Sequence, residues 1–527
     1  MDDYSFSTGF CEFFGILVNQ VIELRKCFIK YQLNSPSSQV SLPHSGLNSF
    51  FANACKIALP PYICQTKATF MKLKTNLIAL FLILSVQLGM AQEANETNKE
   101  ASTKVKTGWT FGALPAVSYD TDLGFQYGAL VNLFYFGDGS TYPKYMHSVY
   151  AEVSRYTKGS GINRFFIDSE HLIPKIRTTV DVSYLTEKAL DFYGFNGYEA
   201  VFNKEWQTTD DPAYISRMFY RHERNTFKAT ADFQGKLGDS KFRWVVGAGI
   251  LNHKIGPVDI ARLNKGKDPA DQLPDVPGLY QKYVDWGVIK ANEKDGGWAN
   301  HLKVGLVYDT RDFEPNPMKG MWSEVVLLSA PSFLGNGDFG FTKFSATHRQ
   351  YFTLVEDKLS FVYRINYQGT IAGKAPFFIQ PYVINSFNNS SNIDGLGGSK
   401  SLRGVVRNRV VGDGAAFANA EFRWKVFRTN ILNQNFYLGL NVFGDAGRVV
   451  QKMDLDLSGV PNTLVIGGKT YNKSEFFSGE DEGFHSTAGA GLGFVLNENF
   501  IVAVDYGRAL DKRDGKGGMY IGLNYLF

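Results

Sequence analysis

From Gly108 onward, apolar and polar residues alternate with a period of two rather than four. In LSFVYRINYQ (residues 359–368), Leu359, Phe361, Tyr363, Ile365 and Tyr367 fall on one face. Ser360, Arg364, Asn366 and Gln368 fall on the other, with Val362 the single apolar exception. FIVAVDYG repeats the pattern, with Phe500, Val502, Val504 and Tyr506 on one face and Asp505 pointing away. So does FYLGLNVFGD, through Phe436, Leu438, Leu440 and Val442. The pattern predicts sixteen strands, near 108–119, 123–136, 144–157, 161–172, 175–186, 226–237, 241–254 and 299–311, then 318–329, 338–354, 356–371, 413–426, 434–447, 484–495, 499–508 and 517–527. Region 187–225 is ambiguous, because YGFNGYEAVFNKEW would accommodate a further strand; the range is fourteen to eighteen.

A soluble sandwich hides such an apolar face in a core, whereas a membrane barrel turns it to lipid around a polar lumen. Three features predict the barrel. The strands run about ten residues or more, as a tilted span requires. Aromatics recur near strand ends, as interfacial girdles do. Long connections (255–300, 372–412, 450–483) alternate with short ones (311–317, 354–357, 427–434, 496–499). The expected fold is therefore all-β: a transmembrane antiparallel barrel of about sixteen strands with both ends at one rim.

Composition adds the compartment. All four cysteines, Cys11, Cys27, Cys55 and Cys64, precede residue 71. At Met71 a basic stretch with Lys72 and Lys74 opens, followed by an apolar run from Leu77 to Leu84 and by Gly89 and Ala91 before Gln92. This is the anatomy of a secretory signal peptide, its apolar run too short to span a membrane. Residues 1–70 then read as upstream sequence, with a genuine extension as the competing reading. Residues 71–91 read as the signal peptide, 92–107 as a short disordered periplasmic segment, and 108–527 as the barrel. Removing residues 1–91 leaves 48 Lys and Arg against 47 Asp and Glu, and no cysteine. A balance so near neutral argues against a nucleic-acid partner, and the missing cysteine suits an exported chain without disulfides.

GLGGSKSLRGVVRNRVVGDG (residues 395–414) stands apart, because it places Leu402-Arg403-Gly404-Val405 at the end of a long loop. In sequence order around it come GLVYDTRDFEPNPMKG, with Asp309, Arg311, Asp312, Pro317 and Gly320; AEFRW, with Glu421 and Arg423; and FGDAG, with Asp445. This set resembles the bacterial surface antigen family, which includes the barrel-assembly and translocation-assembly proteins BamA and TamA. In that family the sixth outer loop folds into the lumen with a Val-Arg-Gly-Phe or Val-Arg-Gly-Tyr tip. Val405 departs from it, so no contact of that ring carries over. ALPAVSYDTDLGFQYGA resembles the family's first hairpin. By alternation, Asn419, Glu421 and Arg423 share a polar face, and Asp445 shares parity with Gly439 and Asn441. A guanidinium binds a carboxylate through two parallel bonds. Arg403 is therefore expected to pair with Asp445, or with Glu421, inside the lumen; the competing reading is a solvated surface arginine.

The last strand GMYIGLNYLF ends on Phe527, and Met519, Ile521, Leu523, Tyr525 and Phe527 share one apolar face. Gly522, Tyr525 and Phe527 are read as a C-terminal barrel signal. The resemblance implies a weak seam between strands 108–119 and 517–527, loosened by Gly517, Gly518 and Gly522. It also implies residence in the cell outer membrane of a Gram-negative bacterium. The implied partners are outer-membrane lipids, the assembly machinery for the chain's own insertion, and client outer-membrane proteins. About sixteen residues between Gln92 and the first strand leave no room for a periplasmic POTRA module.

No enzyme chemistry emerges. Gly467-Gly468-Lys469-Thr470 lacks the phosphate-loop glycine, because Thr463 stands there. GAGLGF at 489–494 lies in a strand with no following helix. The eight histidines show no metal spacing, so no cofactor or metal is expected. His222, His301, His348 and His485 are placed at strand ends or in the lumen. Glu480, Asp481, Glu482 and Asp338 are read as solvated loop residues. The expected function is assistance to protein or lipid insertion or translocation; a solute channel and a lipid-modifying barrel enzyme are the alternatives.

Overall fold

The computed structural model describes residues 104–116, 118–120, 124–386, 395–431 and 434–527. Residues 1–70, residues 71–91 that read as a signal peptide, and most of the 92–107 segment lie outside the described residues. The chain forms one antiparallel meander. β1 (Trp109–Pro115) and β2 (Ser118–Asp120) follow one another along β3 (Gly124–Tyr135). Then come β4 (His147–Tyr156), β5 (Gly161–Ile173), β6 (Ile176–Asp191), β7 (Arg221–Lys236) and β8 (Phe242–Gly256). The short β9 (Gly296–Trp298) and β10 (His301–Asp309) share β8 as partner. β11 (Gly320–Ala330), β12 (Phe341–Val355), β13 (Leu359–Gly373), β14 (Gly414–Ile431) and β15 (Gln434–Gln451) continue the sheet. A separate hairpin, β16 (Thr463–Ile466) with β17 (Lys469–Asn472), sits in the next loop. β18 (His485–Leu496), β19 (Phe500–Ala509) and β20 (Gly518–Leu523) complete it. Because β1 with β2, and β9 with β10, each make one interrupted strand, the 18 elements of the main sheet trace the sixteen strands read from the sequence.

Region 187–225 holds no additional strand: β6 runs on to Asp191, β7 starts at Arg221, and 3-10 turns at Gly197–Glu199 and Lys204–Gln207 lie between them. The sheet polarity is inverted relative to a soluble protein. Outward positions carry exposed Val246, Ile250, Leu302, Val304, Val325, Leu327, Ile365 and Val442. Inward positions carry buried ion pairs: Arg164–Asp181 at 2.8 Å, Lys228–Asp181 at 3.0 Å and Lys303–Asp232 at 2.8 Å. Charges inside and apolar residues outside fit a wall facing lipid and exclude a sandwich core.

Among the described residues, β20 pairs only with β19, and no register joins it to β1 or β2. Side chains bridge this seam at the short-turn rim. Phe500 packs with Phe134, Phe136, Leu114 and Leu523. Asn435 donates to the Lys104 carbonyl at 3.0 Å and to the Tyr142 hydroxyl at 2.9 Å.

The long-loop rim is roofed. Residues 192–220, 279–289, 375–384 and 453–477 contribute to one apolar cluster that includes Phe192, Phe195, Trp206, Tyr220, Tyr283, Trp286, Phe377, Phe378 and Phe476. Edge-on ring pairs organise it, among them Phe192–Tyr283 at 5.3 Å and Trp206–Phe219 at 5.2 Å.

Candidate functional site: a loop arginine caged in the lumen

The segment before β14 is a compact knot. Leu396 and Val410 exchange two backbone hydrogen bonds of 3.1 Å. The Gly395 N–H donates to Asn408 Oδ1 at 2.7 Å. Leu396, Leu402, Val405 and Val410 pack on Phe417, Val449 and Ala509. This apolar base carries the knot into the barrel and leaves the guanidinium of Arg403 pointing at the polar wall.

Arg403 is fully buried. Its Nε and Nη2 donate to the two oxygens of Asp445 at 3.1 and 3.0 Å, and its backbone N–H adds a third bond to Asp445 at 3.0 Å. Nη2 stands 2.7 Å from Glu421 Oε1, and Nη1 donates to Asp505 Oδ2 at 3.2 Å. The Phe443 ring lies 3.4 Å beneath the guanidinium. Burial alone would lower the basicity of Arg403, but Glu421 and Asp445 outweigh it and hold the group above its ordinary value. The expected pair with Asp445 is present, and Glu421 joins it rather than competing. Arg423 donates to Glu421 at 2.7 Å, so two guanidinium groups share three carboxylates. Asn419 braces the cage, donating to Asp445 at 2.8 Å and to the Ser401 carbonyl at 2.6 Å.

Gly404 has φ +110, and a Cβ there would sit 2.6 Å from the Arg508 nitrogen. A Cβ on Gly507 would lie 2.2 Å from the Arg403 carbonyl oxygen. Loop and wall thus meet backbone to backbone, which only glycine on both sides permits. The Gly404 N–H donates to the Tyr520 hydroxyl at 3.0 Å, tying the loop to the last strand. A second buried arginine fixes the knot to the roof. Arg409 donates to the Gly197 and Ala200 carbonyls at 2.8 and 3.0 Å. Beside it, His485 bridges Asp514 at 2.6 Å and Glu482 at 3.2 Å. Glu482 is therefore buried and paired, not a solvated loop residue.

The turn 310–319 lies at the opposite rim, away from Arg403. Arg311 holds Asp309 with two bonds, 3.0 and 3.1 Å, and stacks on Trp322 at 4.3 Å. Asp312 accepts from the backbone N–H of Phe313, Met318 and Lys319. Gly320 has φ +96, and a Cβ would meet the Thr310 carbonyl at 2.2 Å. Next to Pro317, Asn316 donates to the Tyr437 hydroxyl at 2.8 Å. Across the mouth, Arg177 donates to both oxygens of Glu314 at 2.9 and 3.0 Å. The motif is therefore a strap under the lumen, beside a polar cavity of about 290 Å³ lined by Lys144, Asp168 and Arg243.

The C-terminal residues differ from the sequence expectation. β20 ends at Leu523, Asn524 takes φ +64, and the tail leaves the lipid face. Tyr525 lies over the luminal glycines Gly439 and Gly493, where added Cβ atoms would come within 2.5 and 2.4 Å of its hydroxyl. Arg423 stacks on Tyr525 and Phe527 at 4.8 and 4.9 Å and donates to the Phe527 carbonyl at 2.9 Å. A cluster of arginines inside the wall outcompetes lipid for these rings. Gly522 has open space around it.

Sequence reasoning named no role for Asp505, Phe443, Gly507 or Tyr520. Asp505 had a signal, a lone acid opposite the apolar face of its strand; Gly507 had none, because its partner is the sequence-distant backbone of Arg403.

Polar lumen, inward loop and caged arginine define an outer-membrane-type barrel. The chain belongs to the Omp85 superfamily, whose domain matches residues 174–525, so the resemblance read from the motifs holds. Barrels of that family reside in the bacterial outer membrane. Among solved structures, BamA from Haemophilus ducreyi lacking POTRA domains 1–3 is similar, at 14% identity and TM-score 0.42, over 80% of this chain and 69% of that one. CdiB from Escherichia coli is similar at 10% identity and TM-score 0.45, over 78% and 61%. CdiB from Acinetobacter baumannii follows at 14% identity and TM-score 0.36, over 80% and 60%. The chain thus spans less than two thirds of either CdiB. No curated protein matches it.

Proposed function

We propose that this barrel assists the insertion or translocation of protein or lipid at the outer membrane, and that it is not an enzyme. The observation that carries the reading is the coupling of Arg403 to the last strand. The loop bearing Arg403 bonds to Tyr520 on β20, whose far edge has no ladder to β1 or β2 among the described residues. A barrel whose plug is bonded to its open edge is built to change shape there. A passive solute channel needs a clear lumen, whereas here roof, loop and strap lie in its path. Client outer-membrane proteins and lipids are the proposed partners, with the barrel-assembly machinery acting on the chain itself.

The test is depletion in the native bacterium, followed by quantitation of outer-membrane proteins and of lipid between leaflets. Broad loss of barrel proteins or misplaced lipid is the expected result. An unchanged envelope with one nutrient or secreted product affected would replace this reading with a dedicated channel or exporter.

A further inference from the structure

The outward face of β19 is apolar except at its upper end. Val502, Val504 and Tyr506 face outward, and Asp505 and Gly507 face the loop. Continuing the alternation, Arg508 falls on the lipid side, exposed, one residue from the strand end and followed by the 68%-exposed Leu510. No carboxylate among the described residues pairs with it. An arginine on that face is costly unless its head reaches the headgroup layer and meets an anion there.

The surroundings supply more positive charge. Lys512 and Lys516, in the loop from β19 to β20, are exposed and also lack a carboxylate partner among the described residues. The loop folds back over the foot of Arg508: a Cβ on Gly517 would lie 2.6 Å from the Gly507 carbonyl and 3.3 Å from the Arg508 Cα. Two strands along the wall, Arg448 stacks on Phe484 at 5.3 Å and donates to the backbone carbonyls of Val449 and Glu482. The nearby acids are engaged elsewhere: Asp511 and Glu480 by Arg513 at 2.7 Å, Asp481 by Lys452 at 3.8 Å, and Glu482 and Asp514 by His485 at 3.2 and 2.6 Å. Burial, and then the neighbouring charge of Lys516, hold the Lys204 ammonium below its ordinary value.

We propose that Arg508, Lys512, Lys516 and Arg448, over the apolar footing of Leu510 and Phe484, bind the phosphate groups of an anionic lipid in the outer leaflet beside the open seam. The inference rests on the long-loop rim facing outward and is independent of whether the barrel handles protein or lipid clients. Each cation near a lipid surface strengthens anionic binding by about fivefold.

The test uses the full chain in detergent, titrated with diphosphoryl lipid A or phosphatidylcholine and read by native mass spectrometry. The wild type should retain the diphosphorylated lipid in preference to the zwitterionic one. R508Q–K512Q–K516Q should lose that affinity about a hundredfold, while K282Q–K290Q, on a different loop, should bind as wild type. R508Q alone should lose about fivefold, which keeps the test decisive if the triple variant does not fold. No preference in the wild type, or equal binding by R508Q and wild type, overturns the proposal. Because binding is measured without clients, its failure is separable from failure of the functional reading.

Discussion

Arg403 touches three carboxylates and one ring, and two substitutions separate those contacts. Arg403→Ala leaves Asp445 buried with only neutral donors, while Glu421 keeps Arg423, so we expect a loss of about 3–5 kcal/mol in the stability of the docked loop. Limited proteolysis of the 395–413 knot, before and after substitution, measures it. Arg403→Lys should recover little, because an ammonium cannot make the paired bonds to Asp445. Equal protease resistance in all three proteins would mean the knot is held by Leu402 and Val405 alone. Glu314 gives a pH dependence at the other rim. Burial tends to raise its pKa, but Arg177 and Arg311 overcome this and bring it down to about 2. Its folded value therefore lies below the ordinary one of 4.5. The strap is at full strength above that value and is lost as the pH falls through about 2. Trp322, stacked on Arg311, reports the release by fluorescence, and Glu314→Gln should show it already at neutral pH.

At the level of elements, the unpaired edge of β20 should be visible in amide exchange. Amides of Gly518–Leu523 should exchange much faster than those in the middle of β15, which has ladders on both sides. Matching protection would mean that the ring is closed in solution. The strands themselves were legible because lipid on one side and charge on the other impose a strict period of two. Three features escaped that rule. The roof aromatics, such as Trp206 and Tyr283, follow no period because their loops pack as irregular chain. Tyr525 and Phe527 kept the apolar alternation of β20, yet a positive φ at Asn524 redirects them to Arg423. The break between β1 and β2 left no mark in the alternation. The Arg403 cage was legible only in part: parity placed Asp445 and Glu421 in the lumen, whereas Phe443 looked like an ordinary wall residue.

Over the whole molecule, roof, knot and strap obstruct the lumen at three heights. Reconstituted wild type should therefore show little steady conductance in a planar bilayer, and Arg403→Ala should show more. A large, constant wild-type conductance would contradict the obstruction. Unboiled barrel should also migrate anomalously on a denaturing gel; identical mobility before and after boiling would contradict a detergent-resistant barrel.

The roof has one more consequence. Its apolar cluster draws residues from the β6–β7, β8–β9, β13–β14 and β15–β18 connections, so no connection owns enough of it to fold alone. The cluster is therefore complete only when all four connections are in place. A chain in which one of those connections fails to dock should therefore leave the aromatics of the other three in water and open to proteolysis, so the roof ties the soundness of the rim to the presence of every crossing.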